Sequence, residues 1–163
     1  MKKIKFVVLI FLAPIVIVSC EEDGVTLPEE EFFVAFETEK ATIEKSSDSP
    51  LEIPVYVAAE RGGEVSVEVG VQNSPDLLDD ESYAGYSFAK ENLDYEIPGG
   101  LTLNYPKGTG YDTLRLHSIE GGTPGDLILE LVIEENSAGY RMGLPTGESG
   151  DGSKYDRFVV EFQ

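Results

Sequence analysis

Apolar residues recur at every second position in seven runs of this chain. "LEIPVYVA" (51–58) sets Leu51, Ile53, Val55 and Val57 on one face, and "EVSVEVGVQ" (64–72) sets Val65, Val67, Val69 and Val71 inward with Ser66, Glu68 and Gly70 outward. "LTLNY" (101–105), "DTLRLHS" (112–118), "LILELVIE" (127–134) and "DRFVVEF" (156–162) repeat the alternation, and "EFFVAFE" (31–37) is a β-rich run. One buried and one solvated face is the pattern of antiparallel sheets. About seven such strands between Gly, Pro, Asn and Asp clusters predict an all-β, immunoglobulin-like antiparallel sandwich. Val65, Val67, Val69, Leu129 and Leu131 are the expected core between its sheets. Outside the N-terminal segment no helical periodicity exceeds a turn or two.

The connections add detail. "AAERGGE" (58–64) and "YPKGTGY" (105–111) read as short hairpin loops with glycine supplying positive φ. Pro54 interrupts the 51–58 run, which predicts an edge strand or a bulge there. Two long connections, 73–92 and 135–155, are functional or loose by the usual rule for compact domains. The first carries Tyr83, Tyr86 and Phe88 beside several acids, and the second is glycine-rich.

The N-terminus has a different pattern. Lys2, Lys3 and Lys5 precede an uncharged apolar stretch, residues 6–18, shorter than the roughly 20 residues of a membrane span. It ends in Ile17-Val18-Ser19-Cys20, which holds the single cysteine and resembles the lipobox of bacterial lipoproteins. The resemblance implies that residues 1–19 are removed as a signal peptide and that Cys20 is lipidated, tying the protein to a membrane. An ordinary signal peptide, or a buried free cysteine, is the blander reading. Glu21-Glu22-Asp23 is similar to the acidic export signal of surface lipoproteins in the Bacteroidetes lineage, which implies an outer-membrane, surface-exposed location. The same acids also suit a solvated linker, and residues 20–31 read as an acidic tether before a sandwich domain at 32–163.

Charge narrows the partners. The whole chain carries 12 basic and 31 acidic residues; loss of residues 1–19 removes three lysines and no acid, leaving a formal charge near −22. Such a charge repels nucleic acid, so no nucleic-acid partner is expected. Tryptophan is absent, and eight Phe and eight Tyr supply the large apolar area.

"ATIEKS" (41–46), "NLDYEIPGGLTLNYPKG" (92–108), "YDTLRLHS" and "LILELVI" follow the order of elements in the Calx-beta domain, which this chain resembles over roughly residues 32–162. Glu44, Asp94-Tyr95 and Tyr105-Pro106-Lys107-Gly108 fall where that family has a strand glutamate, an Asp-Tyr pair and an aromatic-x-x-Gly turn. The implied fold is a seven-stranded immunoglobulin-like sandwich. In calcium-binding members, loop acids at one end hold the ion, so Glu44, Asp94 and Glu120 are the metal candidates, and calcium is the one cofactor raised. The family's aspartate pair is replaced here by Ser118-Ile119, and an Asp at a strand end also serves by bonding backbone amides.

Enzyme signatures are missing. The one histidine, His117, has no nucleophile motif near it; no G-x-S-x-G, H-E-x-x-H or phosphate loop occurs, and "DGSKYD" (151–156) lacks the order of an EF-hand. Two non-catalytic readings stand: an adhesion or binding module on the envelope with a protein partner, and a lipoprotein that captures glycans. For the second, Tyr83, Tyr86 and Phe88 are the stacking candidates, provided two rings lie coplanar and open to solvent. Otherwise they anchor the loop to the sandwich.

Overall fold

The computed structural model describes residues 32–59, 63–107, 110–146 and 152–163. Cys20, Glu21, Glu22 and Asp23, with the boundaries of the signal segment and tether, lie outside the described residues.

Two sheets face one another. The five-stranded sheet runs β10 (Arg141–Met142), β1 (Phe33–Phe36), β3 (Leu51–Ala58), β8 (Gly110–Ser118), β6 (Tyr95–Glu96). The six-stranded sheet runs β2 (Lys40–Ile43), β13 (Arg157–Phe162), β9 (Leu127–Asn136), β4 (Val65–Val71), β7 (Thr102–Tyr105), and β5 (Ser87–Phe88) joins β9 beyond the end of β4. A small ribbon of β11 (Leu144–Thr146) and β12 (Gly152–Lys154) stands apart. All seven runs of alternation are strands. The extra strands are short, and three of their pairings are parallel: β1 with β10, β2 with β13 and β5 with β9. The chain changes layer directly after the first run, since β1 pairs with β3 in one sheet and β2, which no run marked, pairs with β13 in the other.

The expected core is buried. Val65, Val67, Val69, Leu129 and Leu131 are each at most 4% exposed, against Ile53, Val55 and Val57 from the opposite sheet. Phe36 meets Phe158 at a centroid distance of 5.5 Å, and Tyr95 meets Phe162 at 6.2 Å. Tyr105 is buried yet keeps its hydroxyl satisfied by donating to Val55 O at 3.0 Å across the layers. Gly70 does point outward as the alternation requires, but the Glu134 side chain lies across it.

Three expectations are corrected. The 58–64 and 105–111 segments are not hairpin loops: each leads from one sheet to the other, β3 to β4 and β7 to β8. The Pro54 strand is not at an edge, for β3 pairs with β1 on one side and β8 on the other. Pro54 is tolerated because β1 ends at Phe36, opposite Val55; its carbonyl still accepts from Glu37 N at 3.2 Å, and its missing donor faces the side where the ladder has stopped.

The 73–92 connection forms a partial third layer. It holds a single helical turn, α1 (Pro75–Leu78), a 3-10 turn at Glu81–Tyr83, and β5. Beneath it the outer face of β9 is buried too, so Ile128 at 0% and Glu130 at 3% exposure break the one-sided pattern of "LILELVIE".

Candidate functional site

The metal candidates sit at one end of the sandwich, where the segment after β2, the turn before β6 and the β8–β9 loop meet. The Ser118 hydroxyl donates to Glu44 O at 3.0 Å, and Ile119 N donates to Asp94 O at 2.9 Å. Asp94 is 3% exposed. Its Oδ1 accepts from Thr123 N at 2.5 Å, and its Oδ2 accepts from Lys90 N at 2.7 Å and from the Thr123 hydroxyl at 3.0 Å. Gly122 lets the loop come this close, since a Cβ there would overlap Asp94 Oδ1 and the Leu93 carbonyl. Burial pushes the Asp94 carboxyl up, but the N–H donors of Thr123 and Lys90, the Thr123 hydroxyl and the Lys45 charge outweigh it and hold it below the ordinary carboxylate value. Lys45 supplies the local cation: its Nζ donates to Thr123 O at 2.9 Å and also to Gly125 O. Next door, burial pushes the Tyr95 phenol up to about 12, with help from the Glu91 and Asp94 charges.

This arrangement does not fit a calcium ion. Calcium takes roughly six to eight oxygens, several of them carboxylate. Both Asp94 oxygens are already occupied by protein donors, two loop carbonyls are engaged by an ammonium, and Glu44 and Glu120 are exposed. Among the described residues no three of His, Cys, Asp and Glu are placed to share a metal. Glu44, Asp94 and Glu120 are thus not gathered into one cation shell among the described residues, and Asp94 instead ties the β8–β9 loop to the turn before β6.

The ring candidates lie over the outer face of the six-stranded sheet. Asp80 caps the 3-10 turn by accepting from Ser82 N at 2.8 Å, and Ala89 N donates to Ile128 O at 2.8 Å, which fixes both ends of the segment. Tyr83 is 9% exposed and meets Tyr86 edge to face, 5.6 Å between centroids at 83°. Tyr86 and Phe88 are half-buried. Burial is the chief reason the Tyr83 phenol is pushed up, followed by the nearby Glu161 charge. Two perpendicular rings, one of them buried, make no flat platform, so this trio anchors the loop.

A second ring pair, with one ring open to solvent, lies on the other sheet. Tyr56 of β3 and Tyr111 of β8 are register partners on its outer face, 4.6 Å apart and tilted by 32°, and Tyr111 is 61% exposed. Phe33 of β1 meets Tyr56 edge-on at 6.2 Å. Sequence reasoning passed over these residues because it followed the inward positions; tyrosines at the outward positions of "LEIPVYVA" and "YDTLRLHS" were the available signal. It also passed over Glu130, which accepts from Ser74 N at 2.7 Å and from Arg157 Nη1 at 2.8 Å beneath the 73–92 connection.

No family model matches the chain, and no curated protein matches it in sequence. Solved structures do. An apo-form Calx CBD1 domain superposes with a TM-score of 0.55 at 16% identity over 80% of this chain and 95% of that one. A CBD12 structure from CALX1.2 gives 0.56 at 16% identity over 80% of this chain and 43% of that one. A two-domain protein of unknown function from Bacteroides fragilis gives 0.53 at 10% identity over 81% of this chain and 45% of that one. This chain spans less than half the length of those two longer structures. The two facing sheets and these superpositions show that the described residues have a Calx-beta-like fold of the immunoglobulin-like sandwich class.

Proposed function

We propose that this protein is a non-catalytic binding module held on the bacterial outer membrane by lipid on Cys20 and facing outward. The observation that carries the anchor is Ile17-Val18-Ser19-Cys20, set between an uncharged apolar stretch and Glu21-Glu22-Asp23, ahead of the sandwich. The Bacteroides fragilis neighbour supports a bacterial setting for this fold. The non-catalytic reading is supported by the buried acids: among the described residues these are Asp94 and Glu130, and both are consumed by structural hydrogen bonds rather than aimed into a cleft. A second reading, capture of glycans, is favoured by the exposed Tyr111 ring, which rests against the half-buried Tyr56.

Metabolic labelling with an alkynyl palmitate analogue tests the anchor. Wild type takes up label and fractionates with the outer membrane, whereas Cys20→Ala does neither. Replacing Glu21, Glu22 and Asp23 with alanine leaves labelling intact and removes sensitivity to protease added to whole cells. Equal labelling of the Cys20→Ala chain would overturn the anchor.

A further inference from the structure

We propose that the outer face of the five-stranded sheet binds an uncharged oligosaccharide laid along β3 and β8, with one sugar ring stacked on Tyr111. This deepens the binding-module reading above and rests on it, but it concerns a surface of the folded chain and not its anchor.

The face is built by strand register. Outward positions on β8 are Tyr111, Thr113, Arg115 and His117; those on β3 are Tyr56, Pro54 and Glu52. Register places them in three successive rows: Tyr56 with Tyr111, Pro54 with Thr113, and Glu52 with Arg115. Phe33 meets the half-buried Tyr56 ring edge-on at 6.2 Å, so that ring is backed on one side, and the neighbouring outward residues Ala35 and Ala58 are each 3% exposed. Tyr111 is then supported by Tyr56 and leaves most of its own surface to solvent.

Chemistry selects the ligand. A sugar ring offers axial C–H groups to an aromatic face and hydroxyls at its rim. The Tyr56–Tyr111 row supplies the face. Two rows on, Arg115 Nε and Glu52 Oε1 stand 3.4 Å apart with both side chains 63% exposed, so a planar donor and a planar acceptor are presented together. Rows on one face are spaced by two residues, roughly 7 Å, so ring and ion pair are about 13 Å apart, the span of two or three sugar units. The Glu52 and Arg115 charges cancel, which leaves the three rows without net charge in a chain of −19. A neutral ligand matches that balance; an anionic one would meet the repulsion of the whole acidic chain.

Size argues against a protein occupant. Two partly exposed rings and a proline offer roughly 200–300 Å² before the ion pair interrupts the apolar surface. A stable protein interface covers about 800 Å² on each partner.

The test runs the full chain in detergent on native gels cast with starch, β-1,3-glucan, xyloglucan or galactomannan, and with polygalacturonate as the charged comparison. At least one neutral polysaccharide retards the wild type, and polygalacturonate does not. Tyr111→Ala weakens retardation at least tenfold, Tyr111→Phe keeps it, and Asn104→Ala on the other sheet leaves it unchanged. Thermal melts of the same samples confirm that Tyr111→Ala is folded; should it not be, Arg115→Ala, at an exposed position, serves instead and weakens retardation severalfold. Failure of every neutral polysaccharide, or equal retardation of the Tyr111→Ala chain, overturns the proposal. So does a dimer in sedimentation that Tyr111→Ala dissolves, which assigns the face to a second copy. None of these outcomes depends on Cys20 labelling, so the site and the anchor fail separately.

Discussion

Asp94 shows how one side chain can look like a ligand and work as a fastener. A carboxylate that accepts two backbone N–H groups and a hydroxyl while 3% exposed is satisfied where it stands. Asp94→Asn keeps the shape but turns an amide toward donors, and loses about 1.5–3 kcal/mol at neutral pH. The acid dependence has a definite sign. The folded carboxyl titrates below its ordinary value, so its contribution is complete above about pH 4, the unfolded value, and is lost as the pH falls through the folded one. Urea unfolding at several pH values therefore finds the gap between wild type and Asp94→Asn closing in acid. A gap of constant size down to about pH 2.5 would show that the carboxylate charge is not what the Thr123 and Lys90 donors recognise. Glu130 follows the same sign: burial pushes it up, and the Ser74 N–H and Arg157 bring it down below the ordinary value.

At the scale of elements, β9 is the strand whose character depends most on its surroundings. Its outward residues would be solvated in a bare two-layer sandwich, yet the 73–92 connection buries Ile128 completely. Ile128→Ala should cost about 2–4 kcal/mol, as for a residue inside the core. Val132→Ala, on the same face but half-buried beyond the connection, should cost under about 1 kcal/mol. Denaturant midpoints of the two variants decide it; equal, small losses would mean that the third layer contributes no packing. Here the limits of the sequence become physical. Alternation was enough for the seven main strands and for the inward set of Val65, Val67, Val69, Leu129 and Leu131, because burial between sheets demands period two. It carries no record of which strand lies alongside. "AAERGGE" and "YPKGTGY" have turn chemistry that serves a hairpin and a crossing between sheets equally well. Pro54 reads as an edge because a ladder partner was assumed along the whole strand, whereas β1 stops one residue short of it. At the candidate site Asp94 was legible as an acid at a strand end. Its partners come from residue 90 and residue 123, and that long-range closure is invisible in one dimension. Lys45 was likewise an unremarked surface lysine until the fold set its ammonium over the Thr123 and Gly125 carbonyls.

At the scale of the whole molecule, an acidic chain with a Calx-beta-like fold invites the expectation that calcium stabilises it, and the geometry argues for the opposite outcome. Two effects must be separated. Any divalent cation screens an acidic surface and relieves some self-repulsion, with little preference between calcium and magnesium. A true site adds mass action, about 2.7 kcal/mol when the ion stands at a hundredfold excess over its dissociation constant. For a domain of this size that is a rise on the order of 10 °C in Tm. No such term is expected here, because Asp94 has no free oxygen to offer, Lys45 already places a positive charge at this end of the sandwich, and Glu44 and Glu120 are exposed. Melts of the full chain in detergent with millimolar calcium, millimolar magnesium or chelator, at matched ionic strength, should therefore give calcium and magnesium curves within about 2 °C of each other. Removing the tethered cation extends the argument: Lys45→Met should lower Tm in chelator, since the Thr123 and Gly125 carbonyls lose their donor and Asp94 its nearby charge. Calcium should not restore the loss any better than magnesium, since the Thr123 and Lys90 donors still hold both Asp94 oxygens. A calcium-specific rise of many degrees in wild type, absent from Asp94→Asn, would mean that the loop opens to admit the ion and that the closed, lysine-tethered arrangement is only one of its states.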